Sequence, residues 1–425
     1  MQRLEISGAA DLAGRLAAEA SVLSTRSRSG LYSDRLYSAA ETVARMRAVF
    51  PDLGITRLAR VTGLDRIGIP VFLAVRPNSR TLAVTQGKGI DDDAARASAV
   101  MEAAEQAVAE RPRVSTRAAS VRELISSNEA FVAPARFLRR GAAAPAESAV
   151  IDWVEGFDLL TNRVTWAPLD VVSLDFTEDG DQRASPFWQT TDGLASGNNL
   201  LEAVVHGLCE RIERDASALW CLRPARQVVA RCVQPDAFDD PVLSSLTCRI
   251  ADAGLRLTLF DVTSDIEIPT YLALIAETRP VGAAWRHFDL SRGTGTHPLG
   301  VRAALRAVTE AAQSRLTSIS GARDDFAPSM YAAALRPDLH VYANAEPAGW
   351  KPRLGGLDIA PGEYLRLMLG RLKARGVRSA VAVPLGGETA GFSVAKMIVP
   401  DLEDPPESRY RRLGRRAINA MLGPL

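Results

Sequence analysis

Three hairpin-and-helix units, spaced about a hundred residues apart, limit what this chain can fold into more than any other feature. RLARVTGLDRIGIPVFLAV, from Arg57 to Val75, reads as two strands around a Gly/Asp turn. RLTLFDVTSDIEIPTYLALI, from Arg256 to Ile275, repeats it closely, with the same Val-Thr, acidic turn, Ile-Pro and apolar strand bearing an aromatic residue. A third hairpin, IDWVEGFDLLTNRVTWAPLDVV, runs from Ile151 to Val172. Each leads to a glycine-bearing segment and a long helix. Hairpins alternating with helices predict an α+β fold with helices flanking mixed or antiparallel sheets. A repeat of this length is a subdomain rather than a solenoid module.

The helices carry repeated carboxylates. After Gly87, Lys88 and Gly89 comes a helix with Glu102 and Glu105. After Ser196 and Gly197 come Asn198, Glu202, Glu210, Glu213 and Arg214, and laying Gly89 on Gly197 places Glu102 on Glu210 and Glu105 on Glu213. The third copy, GTGTHPLGVRAALRAVTEAAQSRL, is looser and offers Glu310 and Gln313. At about 100° per residue, Glu102 and Glu105 lie about 60° apart with Ser98 between them, and Glu202, Glu210 and Glu213 fall within roughly 80°, with His206 inside the arc. Apolar residues cover much of the remaining surface of the second helix, so its acidic stripe is expected to be partly buried. Crowded, dehydrated carboxylates ionise at a cost unless a cation joins them. Hard oxygen donors favour magnesium or calcium, and magnesium usually adds phosphate oxygens, so a magnesium nucleotide is the expected ligand.

Ordinary alternatives stand beside these readings. A single ExxE pair is commonly a solvated face, and Glu210 to Arg214 has simple i,i+4 spacing. Gly87-Lys88-Gly89 lacks the Walker A spacing and reads as a tight turn before an Asp91 N-cap. His206 reads as a packed or hydrogen-bonded histidine as well as a ligand. Gln313, Arg315 and Arg323 are candidates for phosphate contacts, with surface ion pairs as the alternative.

With 51 Lys and Arg against 50 Asp and Glu, the chain has no overall basic field to hold nucleic acid and no acidic tail. No stretch approaches a membrane span and no signal-peptide core opens the chain, so a cytoplasmic location is expected. Cys209, Cys221, Cys232 and Cys248 show no metal spacing and no expected disulfide.

GITRLARVTGLDRIGIPVFLAVRPNSRTLAVTQGKG, ARASAVMEAAE, GLASGNNLLEAVVHGLCERIERD and EAAQSRLTSISGARDD occur in that order between Gly54 and Asp325. Together they resemble the YcaO family of ATP-dependent peptide-modifying enzymes, most of all its TfuA-associated branch. The resemblance implies a single composite YcaO-type domain, with an N-terminal helical segment over 1–53, an ATP-binding core over 54–330 and a C-terminal part over 331–425 completing it. It implies ATP and Mg2+ binding, with Ser98, Glu102, Glu105, Asn198, Glu202, Glu210, Glu213 and Arg214 lining the nucleotide site. Glu102, Glu105, Glu210 and Glu213 are the implied metal ligands, and Arg214 and Arg323 the implied catalytic residues.

Three departures stand out. Gln106 takes a position usually held by arginine in the first acidic motif. STRSRSGLYSDR replaces the family's N-terminal Lys and Gly-Thr-His-Arg stretch, leaving Arg28 and Arg35 as substitutes. AMLGPL replaces the proline-rich tail common in azoline-forming members. The implied chemistry is addition of a nucleophile to a backbone amide and capture of its oxygen by the γ-phosphorus of ATP. The expected activity is thioamide formation on a ribosomal peptide or protein with a TfuA-like partner. An azoline-forming cyclodehydratase and a non-catalytic nucleotide-binding accessory protein are the alternatives, and a homodimer is common in the resembling family.

Overall fold

The structure, a computed structural model, describes residues 11–25, 32, 34–139, 141–177, 185–278, 285–323, 325–335, 337–355, 359–404 and 413–423. Arg28 lies outside them. The strands in chain order are β1 (Arg57–Arg60), β2 (Val71–Val75), β3 (Val84–Lys88), β4 (Thr116–Ser120), β5 (Ala130–Phe131), β6 (Val150–Asp158) and β7 (Arg163–Pro168). They continue as β8 (Leu194–Gly197), β9 (Cys232–Val233), β10 (Leu255–Asp261), β11 (Thr270–Glu277), β12 (Leu290–Thr296), β13 (Val381–Gly386) and β14 (Ser393–Ile398).

All three expected hairpins form. β1 pairs antiparallel with β2 from Arg57 opposite Val75 to Arg60 opposite Phe72. β10 and β11 run antiparallel from Leu255 opposite Glu277 to Asp261 opposite Tyr271. β6 and β7 close on Asp158 opposite Arg163. The three long helices follow as expected, over Asp92–Glu110, Leu200–Cys221 and Gly300–Ser320.

The chain divides into two compact units that interleave along the sequence. One comprises 1–37, 104–214 and 359–422 and contains a seven-stranded sheet. Its order is β5-β7-β6-β13-β14-β8, with β4 also on β6. The long β6 serves two partners along one edge, β4 over Val150–Val154 and β13 at Phe157 and Asp158. β13 and β14 thus bring residues near the C-terminal end of the chain into a sheet begun much earlier. Trp153 anchors its middle, fully buried and donating its indole N–H to Ala119 O at 3.0 Å, which satisfies the one polar atom of a large apolar side chain.

The other unit comprises 38–103, 215–358 and 423–425. It holds a three-stranded sheet, β1-β2-β3, and a four-stranded sheet, β12-β11-β10-β9. The third long helix packs on β11 and β12 and also on β2 and β3, so its alanine-rich face (Ala303, Ala304, Ala307, Ala311, Ala312) is buried.

The repeated glycines have a different role from the tight turns read in the sequence. Gly87 lies within β3, Gly197 ends β8, and Gly293 and Gly295 lie within β12. At each, the strand backbone lies against the helix that follows it. A Cβ on Gly87 would sit 2.0 Å from Ala99 N, and one on Gly293 would sit 2.3 Å from Ala311 N. Glycine is required there because strand and helix backbones approach more closely than any side chain permits. Asp91 is an N-cap as read, accepting from Ala94 N at 2.7 Å. Among the described helices none is long and apolar enough to cross a membrane.

Candidate functional site

The second long helix starts where β8 ends. Asn199 caps it, its Oδ1 accepting from Glu202 N at 2.9 Å. Glu202 turns back over this end, and its carboxylate accepts from Asn198 N at 2.9 Å and Asn198 Nδ2 at 3.1 Å. Arg35 Nη1 also donates to Glu202, at 3.3 Å, as does Leu36 N. Glu19, from the N-terminal helix Leu12–Thr25, accepts from Leu201 N at 2.7 Å. Two carboxylates therefore collect at the amide-rich end of a helix, where the dipole favours negative charge. Glu202 is only 4% exposed, and four hydrogen bonds satisfy it. Burial works against the Arg35 charge, but Glu202 and Asp34 outweigh it and hold the guanidinium above its ordinary value. Of the two N-terminal arginines read as substitutes, Arg35 reaches a predicted site residue.

About three turns further along the helix, Arg214 bridges two carboxylates. Its Nε donates to Asp192 Oδ1 at 3.0 Å and its Nη2 to Glu210 Oε1 at 3.0 Å. Glu210 Oε2 accepts from Gly193 N at 3.2 Å, and Asp192 Oδ2 accepts from Thr190 Oγ1 at 2.8 Å. Lys396, 3% exposed on β14, donates to Thr190 O. The two carboxylates titrate in opposite directions. Burial raises Glu210, and with Asp192 adding like charge the pull of Arg214 and Lys396 does not restore it to its ordinary value. Burial also works to raise Asp192, but Arg214, Arg211 and Lys396 outweigh it and bring that carboxyl down to about 2. Glu210 is thus a desolvated carboxylate short of positive charge, while Asp192 has a full complement.

The Asp192 ion pair has a defined pH signature. A folded-state value lowered from 3.8 to about 2 gives stabilisation that is complete above the unfolded value and lost as pH falls through the folded one. Asp192→Asn is expected to cost about 2 kcal/mol at neutral pH. It should also flatten the acid loss of stability between those two values, which urea midpoints taken across a pH series would measure.

The other predicted residues fall as follows. On the first long helix, Glu105 Oε1 accepts from Ser196 N at 2.8 Å and from Ser196 Oγ at 2.7 Å, fixing the C-terminal end of that carboxylate stripe to β8. Ser98 and Glu102 are half-buried on the same helix, and Gln106, at the position where arginine is usual, is buried. Glu213 is buried and His206 half-buried on the second helix. In the third copy Gln313 Nε2 donates to Gln86 O at 2.8 Å, closing a bond between helix and strand. Glu310 accepts from Lys88 Nζ at 2.7 Å. Arg315 pairs with Asp65 at 3.1 Å, and Arg323 pairs with Asp325 at 2.6 Å. Arg323, Gln313 and Arg315 therefore each have a protein partner.

Among the described residues no three His, Cys, Asp or Glu side chains gather as a closed metal site. A magnesium nucleotide does not require one, because magnesium takes one or two carboxylates and completes its shell with phosphate oxygens and water. The donors present fit that demand: they are hard oxygens, and Glu210 is held in burial without enough positive charge.

The model of a family described as YcaO cyclodehydratase, ATP- and Mg2+-binding, matches residues 86–403. The chain belongs to the YcaO family. It is an ATP-dependent peptide-modifying enzyme with ATP and Mg2+ as cofactors. An uncharacterized protein in the tfuA 3′ region of Rhizobium leguminosarum bv. trifolii is 40% identical over 411 residues, spanning 94% of this chain and 96% of the relative. A protein of Methanothermobacter thermautotrophicus is 33% identical over 380 residues, spanning 86% and 93%. In fold, the chain is similar to YcaO from Methanopyrus kandleri bound with AMPPCP and Mg2+, at a TM-score of 0.66 and 21% identity, covering 90% of this chain and 96% of that one. It is also similar to a heterocyclase in complex with substrate and cofactor, at a TM-score of 0.70 and 19% identity, covering 88% of this chain and 53% of that longer one.

Two residues of this charged cluster escaped the sequence reading. Asp192 stands 22 residues before its partner Arg214, beyond any helical or hairpin spacing. Lys396 had a visible signal: it is the one charge in SVAKMI, a strand buried at every position. A lysine in such a run must meet an acceptor, and that demand could have marked it.

Proposed function

We propose that this YcaO protein replaces a backbone amide oxygen of a ribosomal peptide or protein by sulfur, working with a TfuA-like partner. The 40%-identical relative in a tfuA 3′ region carries the choice of branch. Bound Mg2+ and ATP supply an electrophilic phosphoryl group and the charge neutralisation it needs. Sulfide, delivered with help from the partner, adds to the amide carbonyl carbon. The former carbonyl oxygen takes the phosphoryl group and leaves as inorganic phosphate, so the thioamide forms with ADP and with no change of oxidation state. The protein's own residues hold charge in place. One or two carboxylates among Glu105, Glu210 and Glu213 would hold the magnesium, with phosphate oxygens and water completing its shell, and Asn198 would offer a polar contact to the nucleotide. Arg214, held from two sides by Asp192 and Glu210, presents a guanidinium oriented before substrate arrives, which makes it the residue to stabilise transferring charge. No side chain is needed as a covalent nucleophile.

The matched family description includes cyclodehydratase, which keeps azoline formation as the second reading. In that case a Cys, Ser or Thr side chain of the peptide is the nucleophile and no sulfide is consumed. Incubation of the protein with partner, peptide, ATP, Mg2+ and sulfide separates the two by mass. Exchange of one oxygen for one sulfur supports thioamidation, while loss of one water without need of sulfide supports the cyclodehydratase. Nucleotide binding without ATP turnover under any peptide condition contradicts both and favours an accessory protein.

A further inference from the structure

In the unit that includes residues 215–358, one buried carboxylate faces three arginines. Asp261 ends β10 and is fully buried. Its Oδ1 accepts from Thr263 N at 3.0 Å, and its Oδ2 accepts from Trp350 Nε1 at 3.0 Å. Arg353 Nε lies 3.5 Å from Oδ2, and the backbone of Arg353 is fixed by Tyr271, whose hydroxyl accepts from Arg353 N at 2.7 Å and donates to Arg353 O at 3.0 Å. Arg231 donates from Nη1 to Thr263 O at 3.2 Å and holds its guanidinium carbon 5.0 Å from the centre of the Trp350 ring. Arg223, two residues beyond the second long helix, completes the group and feels the Asp261 charge.

The charges do not balance. Three guanidiniums meet one carboxylate, an excess of two. Arg223 and Arg231 are half-buried, and the Arg223 side chain makes no hydrogen bond or ion pair with any described residue. Burial lowers both below the ordinary arginine value, and for Arg231 repulsion from Arg223 and Arg353 adds to it. Half-buried like charges with one shared counterion weaken a fold unless a further anion joins them. Arg353, 44% exposed, leaves the cluster open to solvent.

We propose that Arg223, Arg231 and Arg353 form a binding site for a phosphate-class dianion, beside Trp350 and sharing no residue with the carboxylate site on the long helices. Planar guanidinium forks match tetrahedral oxyanions in bidentate pairs, and a dianion cancels the excess charge of two. Asp261 acts as a fixed internal counterion that keeps the arginines oriented when the ligand is away. The source is either free inorganic phosphate or a phosphate carried on a larger molecule, which share this chemistry.

Thermal unfolding with inorganic phosphate, against chloride at matched ionic strength, tests the site. In wild type the midpoint is expected to rise and saturate with phosphate. In chloride, Arg223→Gln is expected to unfold at or above the wild-type temperature, since the change removes repulsion, and its phosphate response should be lost. Arg231→Gln should lose the response as well, while Glu210→Gln, altered in the other site, should keep it. Tighter binding of O-phosphoserine than of inorganic phosphate supports a carried phosphate, and equal or weaker binding supports the free ion. Full phosphate stabilisation in both arginine variants, loss of the response in Glu210→Gln alone, equal stabilisation by N-acetylglutamate, or no response in wild type overturns the proposal.

Discussion

Glu210→Gln is expected to lower peptide-dependent ATP turnover on the order of 10²- to 10³-fold, because in the proposed site it removes a charged group arranged around transferring phosphate. Stability should move the other way or not at all. Burial raises Glu210 against the pull of Arg214, so its charged form is less at home in the fold than in water. The neutral amide keeps the shape and removes that cost, and Arg214 retains Asp192 at 3.0 Å. Equal or higher unfolding temperature with turnover lost marks a functional carboxylate. A fall in both together would mean that Glu210 serves mainly to hold the helix in place.

The second large effect is structural. Gly87→Ala is expected to destabilise its unit by about 3 kcal/mol or more, since the added methyl has no room and the obstruction is backbone. The new Cβ would meet Ala99 N at 2.0 Å and Ala95 O at 2.3 Å. Neither can turn aside as a flexible side chain would, so β3 must lift from the first long helix. Gly293→Ala, the equivalent position in the third repeat, faces Ala311 N at 2.3 Å and should behave alike. Gly63→Ala, where nothing lies within 4 Å, is the control and is expected to change stability by less than about 0.5 kcal/mol. Urea midpoints of the three variants measure the difference. Comparable stability of Gly87→Ala and Gly63→Ala would contradict the close strand-on-helix packing.

The same glycines show where sequence reading succeeds and where it stops. Alternating apolar runs and the repeated Ile-Pro made the hairpins Arg57–Val75 and Arg256–Ile275 legible, because strand periodicity is local. The glycines beside them were legible as conserved in pattern between repeats but not in purpose. A glycine that makes a turn and one that admits a neighbouring helix have the same letter, and only the packing partner distinguishes them. Ala99 and Ala311, small residues on the facing helices, are that partner. The acidic stripe was legible for the same local reason, since i,i+3 spacing puts Glu210 and Glu213 on one face. Asp192 was not, because its contact with Arg214 depends on how β8 leads into the helix. Trp350 likewise donates to Asp261 from a position 89 residues away along the chain. Long-range polar contacts of this kind leave no periodic trace.

In the proposed reaction ATP is spent on the oxygen of a backbone amide. A peptide substrate carrying 18O in its backbone carbonyls, incubated with the protein, its partner, ATP, Mg2+ and sulfide in unlabelled water, tests it most directly. The expected result is one 18O in each inorganic phosphate released in step with modified peptide, for thioamide or azoline alike, because the amide oxygen leaves on phosphorus. Unlabelled phosphate released alongside modified peptide would rule out transfer of phosphate to the amide oxygen.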